Sequence, residues 1–343
     1  MDNLGKLLKY DTKSTKCVLI LSNEDDHTTD DVIDWLTFMD VPVIRINGSE
    51  QIEFEYLEMS NNSSSIILNG HQKIRIEDIA SFWYRRGRLN LKIDYINGMA
   101  NKRLQKACNI SIANEFTDLA RYFYLKLEEI HGIGSVFENL TNKLFNLERA
   151  SKQGFKIPQS RIITKKVDLE VFLKSHNVLL TKPIGQAGLI YDDESYSIDG
   201  TSTLFTWKDL AEIPNSFPPS LFQSYVDKAY ELRIFFLENK CYCSAIFSQL
   251  DALTKVDFRN YNYEKPNRIN GYTLPLSIES SLVAFMNDIN MDSGSIDIIV
   301  TPQKEYYFLE VNPIGQFKQV SYPCNYYLEK KVAHYLAKPW ILQ

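Results

Sequence analysis

The run Ser295-Ile-Asp297-Ile-Ile-Val-Thr-Pro-Gln-Lys-Glu-Tyr-Tyr-Phe-Leu-Glu310-Val-Asn312-Pro313 constrains this chain more than any other stretch. It reads as two apolar strands around a short turn at Pro302-Gln303-Lys304. Side chains alternate faces along a strand, so Glu310 and Asn312 point the same way. With the turn centred between Gln303 and Lys304, Asp297 lies directly opposite Glu310. Facing positions bring Cβ atoms to about 4.5–5.5 Å, where like charges destabilise each other. Two carboxylates and an amide oxygen on one face therefore call for a cation. An all-oxygen set suits Mg²⁺, which also takes phosphate oxygens and water. The plain alternative is the polar face of a half-exposed sheet.

The chain has 343 residues, enough for two or three domains and a sizeable core. Apolar content of 44% and charged content of 24% are ordinary for a soluble globular protein. A formal charge of −5 argues against a nucleic-acid binder that works through an overall basic surface. No run is long and apolar enough for a membrane span, and Met1–Tyr10 lacks the apolar core of a signal peptide. Five scattered cysteines fit free thiols in a reducing compartment, so a cytoplasmic location with no membrane or nucleic-acid partner is expected. Cys241 and Cys243 form a C-x-C, but no second Cys/His pair has ligand spacing, and they read as buried strand residues.

The first third alternates strand and helix. Cys17–Ser22 is a buried-strand run, Thr28–Asp31 offers cap residues, and Val32–Met39 is apolar at helical spacing. Val41–Ile46 returns to strand, which predicts a β-α-β start with a parallel pair. Ser65–Leu68 and Lys73–Ile76 predict a hairpin turning at Asn69-Gly70, and Ser81–Arg86 a last strand. A long helix is predicted over 100–131, with Ile112, Phe116, Leu119, Phe123, Leu127 and Ile130 as its core stripe and Gly132 and Gly134 ending it. A domain boundary is placed near Ser135.

Beyond it, a helix over 141–153 capped by Thr141 and stopped by Gly154 is expected. Strands follow at Ile157–Ile163 and Val178–Pro183 around a helix over 168–175, then at Leu221–Val226, Glu231–Glu238 and Lys240–Phe247. A helix over 277–290, the hairpin, and a helix over Tyr326–Leu336 complete the chain. The division reads as 1–135, 136–220 and 221–343.

Several constellations carry chemistry. Lys182 ends a strand before Pro183-Ile-Gly-Gln-Ala-Gly188, and a lysine facing a glycine-containing loop suits nucleotide phosphates. The loop is neither a P-loop nor a dinucleotide-binding fingerprint, and a solvated lysine is the alternative. Phe222-Gln-Ser-Tyr-Val226 can offer backbone groups to an adenine edge as a strand runs into a loop. Glu231 can take ribose hydroxyls and shares a strand face with Arg233; a surface ion pair is the alternative. In Asp257-Phe-Arg259, the arginine can hold a phosphate or carboxylate bidentately, or sit in a solvated loop.

In order along the chain, Lys143, Lys182-Pro183, Gln223–Val226, Glu231-Leu-Arg233, Asp257-Phe-Arg259, Asp297 and Glu310-x-Asn312-Pro313 resemble the ATP-grasp ligases over about residues 137–337. Phe82-Trp-Tyr-Arg-Arg86 resembles the Trp-Tyr-Arg-Arg motif of the graspetide (microviridin-type) peptide maturases. Phe308–Phe317 followed by Ser321–Glu329 resembles their grasp-with-spasm branch. Ser293-Gly-Ser295 departs from the family pattern, where a more apolar lead into Asp297 is expected.

The resemblance implies an α/β (α+β) protein with an ATP-grasp fold behind an N-terminal pre-ATP-grasp α/β domain. It implies ATP and Mg²⁺ as cofactors. Lys143 and Lys182 would contact the phosphates, Gln223, Ser224, Tyr225 and Val226 the adenine, and Glu231 the ribose. Asp297, Glu310 and Asn312 would hold Mg²⁺, while Arg233 and Arg259, with Lys182, would stabilise the transferred phosphoryl group. Arg85 and Arg86 are candidates for a substrate carboxylate, with an edge-strand surface role as the alternative. The implied partner is a ribosomal precursor peptide, leader plus core, and a homodimer is expected. The loop Gly185–Gly188 and residues 189–201 are the expected lid, and the N-terminal domain or Val167–Thr206 the expected leader surface. Two other readings stand beside this one: an ATP-grasp ligase of free amino acids, and a non-catalytic ATP-binding module.

Overall fold

A computed structural model describes residues 16–60, 64–70, 73–137, 142–185, 191–192, 196–197, 202–249, 264 and 266–341. Two compact units emerge, Met1–Phe137 with Glu329–Gln343, and Glu138–Leu328.

The first unit runs β1 (Cys17–Ser22), α1 (His27–Phe38), β2 (Val43–Asn47), β3 (Gln51–Met59), β4 (Ser64–Asn69), β5 (Lys73–Arg75), β6 (Ile79–Tyr84), β7 (Asn90–Leu91), α2 (Lys102–Leu127) and β8 (Gly132–Ile133). One sheet has the order β2-β1-β6-β8 and every pairing in it is parallel, as the β-α-β start predicts for its first two strands. Helix α1 starts earlier than expected because Asp26 caps it, its Oδ1 accepting from Thr28 N at 3.0 Å and Thr29 N at 3.4 Å. The second sheet, β5-β4-β3-β7, contains the predicted hairpin. Its register pairs Asn69 with Lys73, so Asn69 belongs to the strand ladder. Strand β3 was not foreseen, although Ile52 and Phe54 alternate with Glu53 and Glu55 at the strand period. On α2, Phe123 and Leu127 are buried, with Phe116, Leu119 and Ile130 packed beside them. The helix stops at Leu127, short of the glycines. Gly132 instead opens β8, where a Cβ would run into the Phe82 carbonyl.

The second unit runs α3 (Lys143–Lys152), β9 (Ser160–Lys165), α4 (Lys166–His176), β10 (Leu179–Lys182), β11 (Tyr191–Asp192), β12 (Tyr196–Ser197), β13 (Thr203–Phe205), β14 (Ser216–Ser224), β15 (Tyr230–Leu237), β16 (Lys240–Phe247), β17 (Arg268–Tyr272), α5 (Leu276–Asp288), β18 (Ser293–Val300), β19 (Tyr306–Asn312) and α6 (Lys318–Cys324). Helices α7 (Leu328–Leu336) and α8 (Lys338–Ile341) follow, so the chain's end belongs to the first unit. Thr141 lies outside the described residues, and Asn142 caps α3 by accepting from Leu144 N and Phe145 N. Gly154, at φ +89°, lets the chain leave that helix.

Two antiparallel sheets organise this unit, β13-β10-β14-β9 and β17-β16-β15-β18-β19. The five-stranded sheet packs one face on a core of Leu232, Ile234, Phe236, Ile296, Ile298 and Phe308 with Leu282, Phe285 and Met286 of α5. Each such side chain contributes about 1.5–3 kcal/mol by leaving water. The β15–β16 turn is Glu238-Asn239, both at positive φ, which matches the twist of a two-residue hairpin.

Candidate active site

The polar face of the five-stranded sheet is built by register. Across three neighbouring strands, Arg233 pairs with Asp297 and Asp297 with Glu310. The facing of Asp297 and Glu310 follows the sequence reading, but by a different route. Near the tip the pairs are Val300↔Tyr306, Ile299↔Tyr307 and Ile298↔Phe308, which centre the turn on Gln303. A bulge between Asp297 and Ile298 then leaves Leu309 as the extra residue and restores Asp297↔Glu310. Phe308, fully buried, fixes the inward face. In an unbroken ladder Glu310 would follow it into the core. The bulge turns Glu310 outward and returns Val311 to the core.

Around this row lies a cavity lined by Pro158, Leu180, Lys182, Ser202, Gln223, Ser224, Tyr225, Val226, Lys228, Glu231, Asp297, Ile299, Leu309 and Glu310. Eight predicted site residues therefore converge: Lys182, Gln223, Ser224, Tyr225, Val226, Glu231, Asp297 and Glu310. Two more join through them. Lys143, at the start of α3, places Nζ 3.5 Å from Glu310 Oε2, and Lys182 Nζ stands 3.7 Å from the same oxygen. Arg233 Nη1 donates to Asp297 Oδ1 at 2.7 Å and Oδ2 at 2.6 Å. Its Nε is buried with no hydrogen-bond partner. Asn312 pairs with Ser295, one pleat along from Glu310 on β19.

The strand-to-loop segment after β14 is tied down at its entrance. Gln223 Nε2 donates to Ser160 Oγ at 2.8 Å, Ser224 N donates to Gln159 O at 2.8 Å, and Gln159 N donates to Ser224 Oγ at 3.0 Å. Both side chains thus brace β14 against β9, and Tyr225 and Val226 line the cavity beside Leu180, Ile299 and Leu309. This apolar wall and two polar residues, Lys228 and Ser248, escaped the sequence reading. Lys228 Nζ donates to Glu231 Oε1 at 2.5 Å, and Ser248 Oγ donates to the same oxygen at 3.0 Å. Burial raises the Glu231 carboxyl above its usual value, while Lys228 and Ser248 oppose that rise. A lysine three residues before a strand carboxylate was the available signal.

Taken together, Glu231, Asp297 and Glu310 meet Lys228, Arg233, Lys143 and Lys182. Cations outnumber carboxylates, which suits a polyanion. Two carboxylates and an amide on one strand face also fit the oxygen set of Mg²⁺. Among the described residues there is no group of three or more His, Cys, Asp or Glu of metal-binding arrangement, so an ion here would draw further oxygens from ligand and water.

Other expectations fare differently. Arg259 and Asp257 lie outside the described residues, as do most of 186–201, the expected lid. Arg85, in the first unit, is 1% exposed and ion-paired with Asp26 at 2.9 Å, with Arg86 3.2 Å from the same oxygen. They follow β6, an interior strand, so the edge-strand surface role is corrected: the sheet continues on both sides. Asp26, which also caps α1, is the partner of Arg85, so that guanidinium is spent on the fold. Arg86, 31% exposed at its side chain, keeps a face to solvent. Pro313–Phe317 also has a packing role. Gly315 sits at φ +58°, Gln316 O accepts from Ser295 Oγ at 2.9 Å, and Phe317 stacks on Phe235 at 4.6 Å. The small Gly294 of the Ser293-Gly-Ser295 lead is closely packed as well, since a Cβ there would stand 3.2 Å from Met291 Cε and 3.3 Å from Asn312 O.

No protein-family model matches the chain, and no curated protein matches it in sequence. Solved structures do. The macrocyclase MdnC from Microcystis aeruginosa MRC, bound with precursor peptide MdnA, is 26% identical over 94% of this chain and 99% of that one, at a TM-score of 0.74. A Chryseobacterium gregarium RiPP-associated ATP-grasp ligase, in complex with ADP and a leader and core peptide, is 23% identical over 94% and 97%, at 0.77. The ATP-grasp ligase PsnB, complexed with a phosphomimetic variant of minimal precursor, Mg and ADP, is 15% identical over 95% and 99%, at 0.68. The likeness spans 94% of the chain, well beyond residues 137–337, so the first unit shares it. The chain has the fold of the ATP-grasp ligases.

Proposed function

We propose that this ATP-grasp ligase is a peptide macrocyclase. It activates Asp or Glu side chains of a ribosomal precursor peptide and joins them to Thr or Ser hydroxyls, or to Lys amines, of the same peptide. The observation that carries the reading is the meeting of Lys143 and Lys182 at Glu310, next to the Arg233–Asp297 pair, in the cavity that the Gln223–Val226 segment also lines. The residues assigned to the nucleotide and to its phosphates thus lie in or beside one cavity, and the likeness to MdnC, over nearly its whole length, supports the peptide side of the reading.

In the first step a peptide carboxylate oxygen attacks the γ-phosphorus of ATP, the bond to the β–γ bridging oxygen breaks, and ADP leaves with its electron pair. In the second, a hydroxyl or amine attacks the acyl carbon, inorganic phosphate departs, and the nucleophile loses its proton. The ring closes as an ester or amide. Lys143 and Lys182 neutralise phosphate charge, and Arg233, held by Asp297 beside them, is assigned to the transferred phosphoryl group by resemblance; in-line transfer is served chiefly by positioning and electrostatics. Asp297, Glu310 and Asn312 would hold Mg²⁺, which when bound supplies charge neutralisation at phosphate oxygens. Water competes for the acyl phosphate, so the cavity must be closed during the second step. Arg259 is assigned to the same phosphoryl end by resemblance. The grasp-with-spasm branch rests on the Phe308–Phe317 and Ser321–Glu329 runs. Residues 1–135, 136–220 and 221–343 remain the proposed domains, a homodimer the proposed assembly and the cytoplasm the proposed location. Among the described residues no helix is long and apolar enough to cross a membrane.

ADP release measured with precursor peptide, with free amino acids, and with neither tests this reading. Release that requires the peptide supports it. Release with free amino acids alone contradicts it in favour of an amino-acid ligase, and tight ATP binding with no release under any condition makes the chain a binding module.

A further inference from the structure

The pair Lys228–Glu231 is unusual for its burial. The lysine side chain is 2% exposed and the glutamate side chain 8%, yet both line the cavity. Lysine is almost never buried without a partner, and a buried ion pair by itself is weak support for a fold. Apolar side chains such as Leu180 and Ile299 line the same cavity. The two charges are therefore better explained by a ligand than by packing.

The geometry is asymmetric. Lys228 Nζ and Ser248 Oγ both donate to Oε1 of Glu231, at 2.5 and 3.0 Å. A carboxylate oxygen has two lone pairs, and these donors occupy those of Oε1. Acceptor capacity toward the cavity is left on Oε2. Ser248 is fully buried, so its hydroxyl is a fixed strut. A carboxylate held this way accepts hydrogen bonds from neutral hydroxyls; a lone carboxyl in the same buried place would be driven toward its neutral form, which also donates.

We infer that Lys228 and Ser248 are positioning residues: they anchor Oε1 of Glu231 so that Oε2 accepts from the vicinal ribose hydroxyls of the nucleotide, and the trio sets the preference for a ribonucleotide. This rests on the reading of the cavity as an ATP site. Neither residue touches the reacting phosphate. Their effect belongs in nucleotide selection.

The test is a titration of the full-length protein, without peptide, by ATP and by 2′,3′-dideoxy-ATP. Wild type should favour ATP by roughly ten- to a hundredfold, the scale of hydrogen bonds to a charged group. Lys228→Met should lower ATP affinity to that of the dideoxy nucleotide while leaving the latter nearly unchanged. Ser248→Ala should reduce the preference part-way, and Lys228→Arg should restore most of it. Equal losses for both nucleotides, or an unchanged preference in folded Lys228→Met, overturns the inference. Should Lys228→Met fail to fold, Ser248→Ala decides: a full wild-type preference there overturns it. ATP binding by wild type with no ribose preference sinks this inference alone, whereas no ATP binding at all sinks the active-site reading with it.

Discussion

Arg233 Nη1 donates to both carboxylate oxygens of Asp297, at 2.7 and 2.6 Å, across adjacent strands of the central sheet. One of the two carboxylates assigned to Mg²⁺ is thus held by an arginine, and the other, Glu310, by two lysines. Three cations oppose two anions at the metal position, so a divalent ion arriving alone meets net positive charge. A nucleotide brings the negative charge that draws the cations away. Mn²⁺, followed by electron paramagnetic resonance, should stay free with the protein alone and become bound when ADP is added. Arg233→Met should bind Mn²⁺ more tightly than wild type without nucleotide. Tight nucleotide-free binding by wild type would contradict the charge argument.

Asp297→Ala and Glu310→Ala should each cut ligation by about a thousandfold or more, the scale of several kcal/mol of lost charge stabilisation. Affinity for the isolated leader peptide should hardly change. Ligation within tenfold of wild type, about 1.4 kcal/mol, would refute the metal assignment.

Burial holds Glu231 above its ordinary value of 4.5, and this has opposite consequences for folding and for binding. In the window above 4.5 the native state carries a proton that the unfolded chain lacks. This group's contribution to stability therefore grows as pH falls through the folded pKa and is lost as pH rises through it. Nucleotide affinity runs the other way, since protonation weakens the acceptor that faces the ribose hydroxyls. Measured on wild type and Glu231→Gln, the variant should show a flatter pH dependence of both. Parallel curves for the two proteins would show that Glu231 does not titrate there.

Phe308 is fully buried, with its ring 4.8 Å from Phe285 and 6.0 Å from Phe155. Phe308→Ala should cost about 3–5 kcal/mol in chemical denaturation, by lost transfer energy plus the cavity it leaves. A cost below about 1 kcal/mol would mean that this side chain does not set the strand face, and with it the outward turn of Glu310.

Much of this site was legible because its residues obey local rules. Alternation on β19 and the turn at Pro302-Gln303-Lys304 predict that Asp297 and Glu310 face each other, and they do. The bulge at Leu309 was not legible, since it is decided by which of Phe308, Leu309 and Glu310 the core on the far side accepts. Arg85 looked like a surface group because its partner, Asp26, comes from a distant turn that only the parallel sheet brings close. Lys228 resembles any solvated lysine until Ser248 and Glu231 close around it. Helix α6 carries Pro323 and little periodicity, and its start is set by Phe317 docking on Phe235. In each case the missing information is a long-range contact that overrides a local preference.

The central claim is that the chain couples ATP cleavage to ring closure within a peptide. Mass spectrometry of the precursor peptide after incubation with the enzyme, ATP and Mg²⁺ tests it most directly. The account predicts a peptide lighter by one water for each ring formed, with one ADP released per ring. ADP released over many turnovers with a peptide of unchanged mass would contradict it.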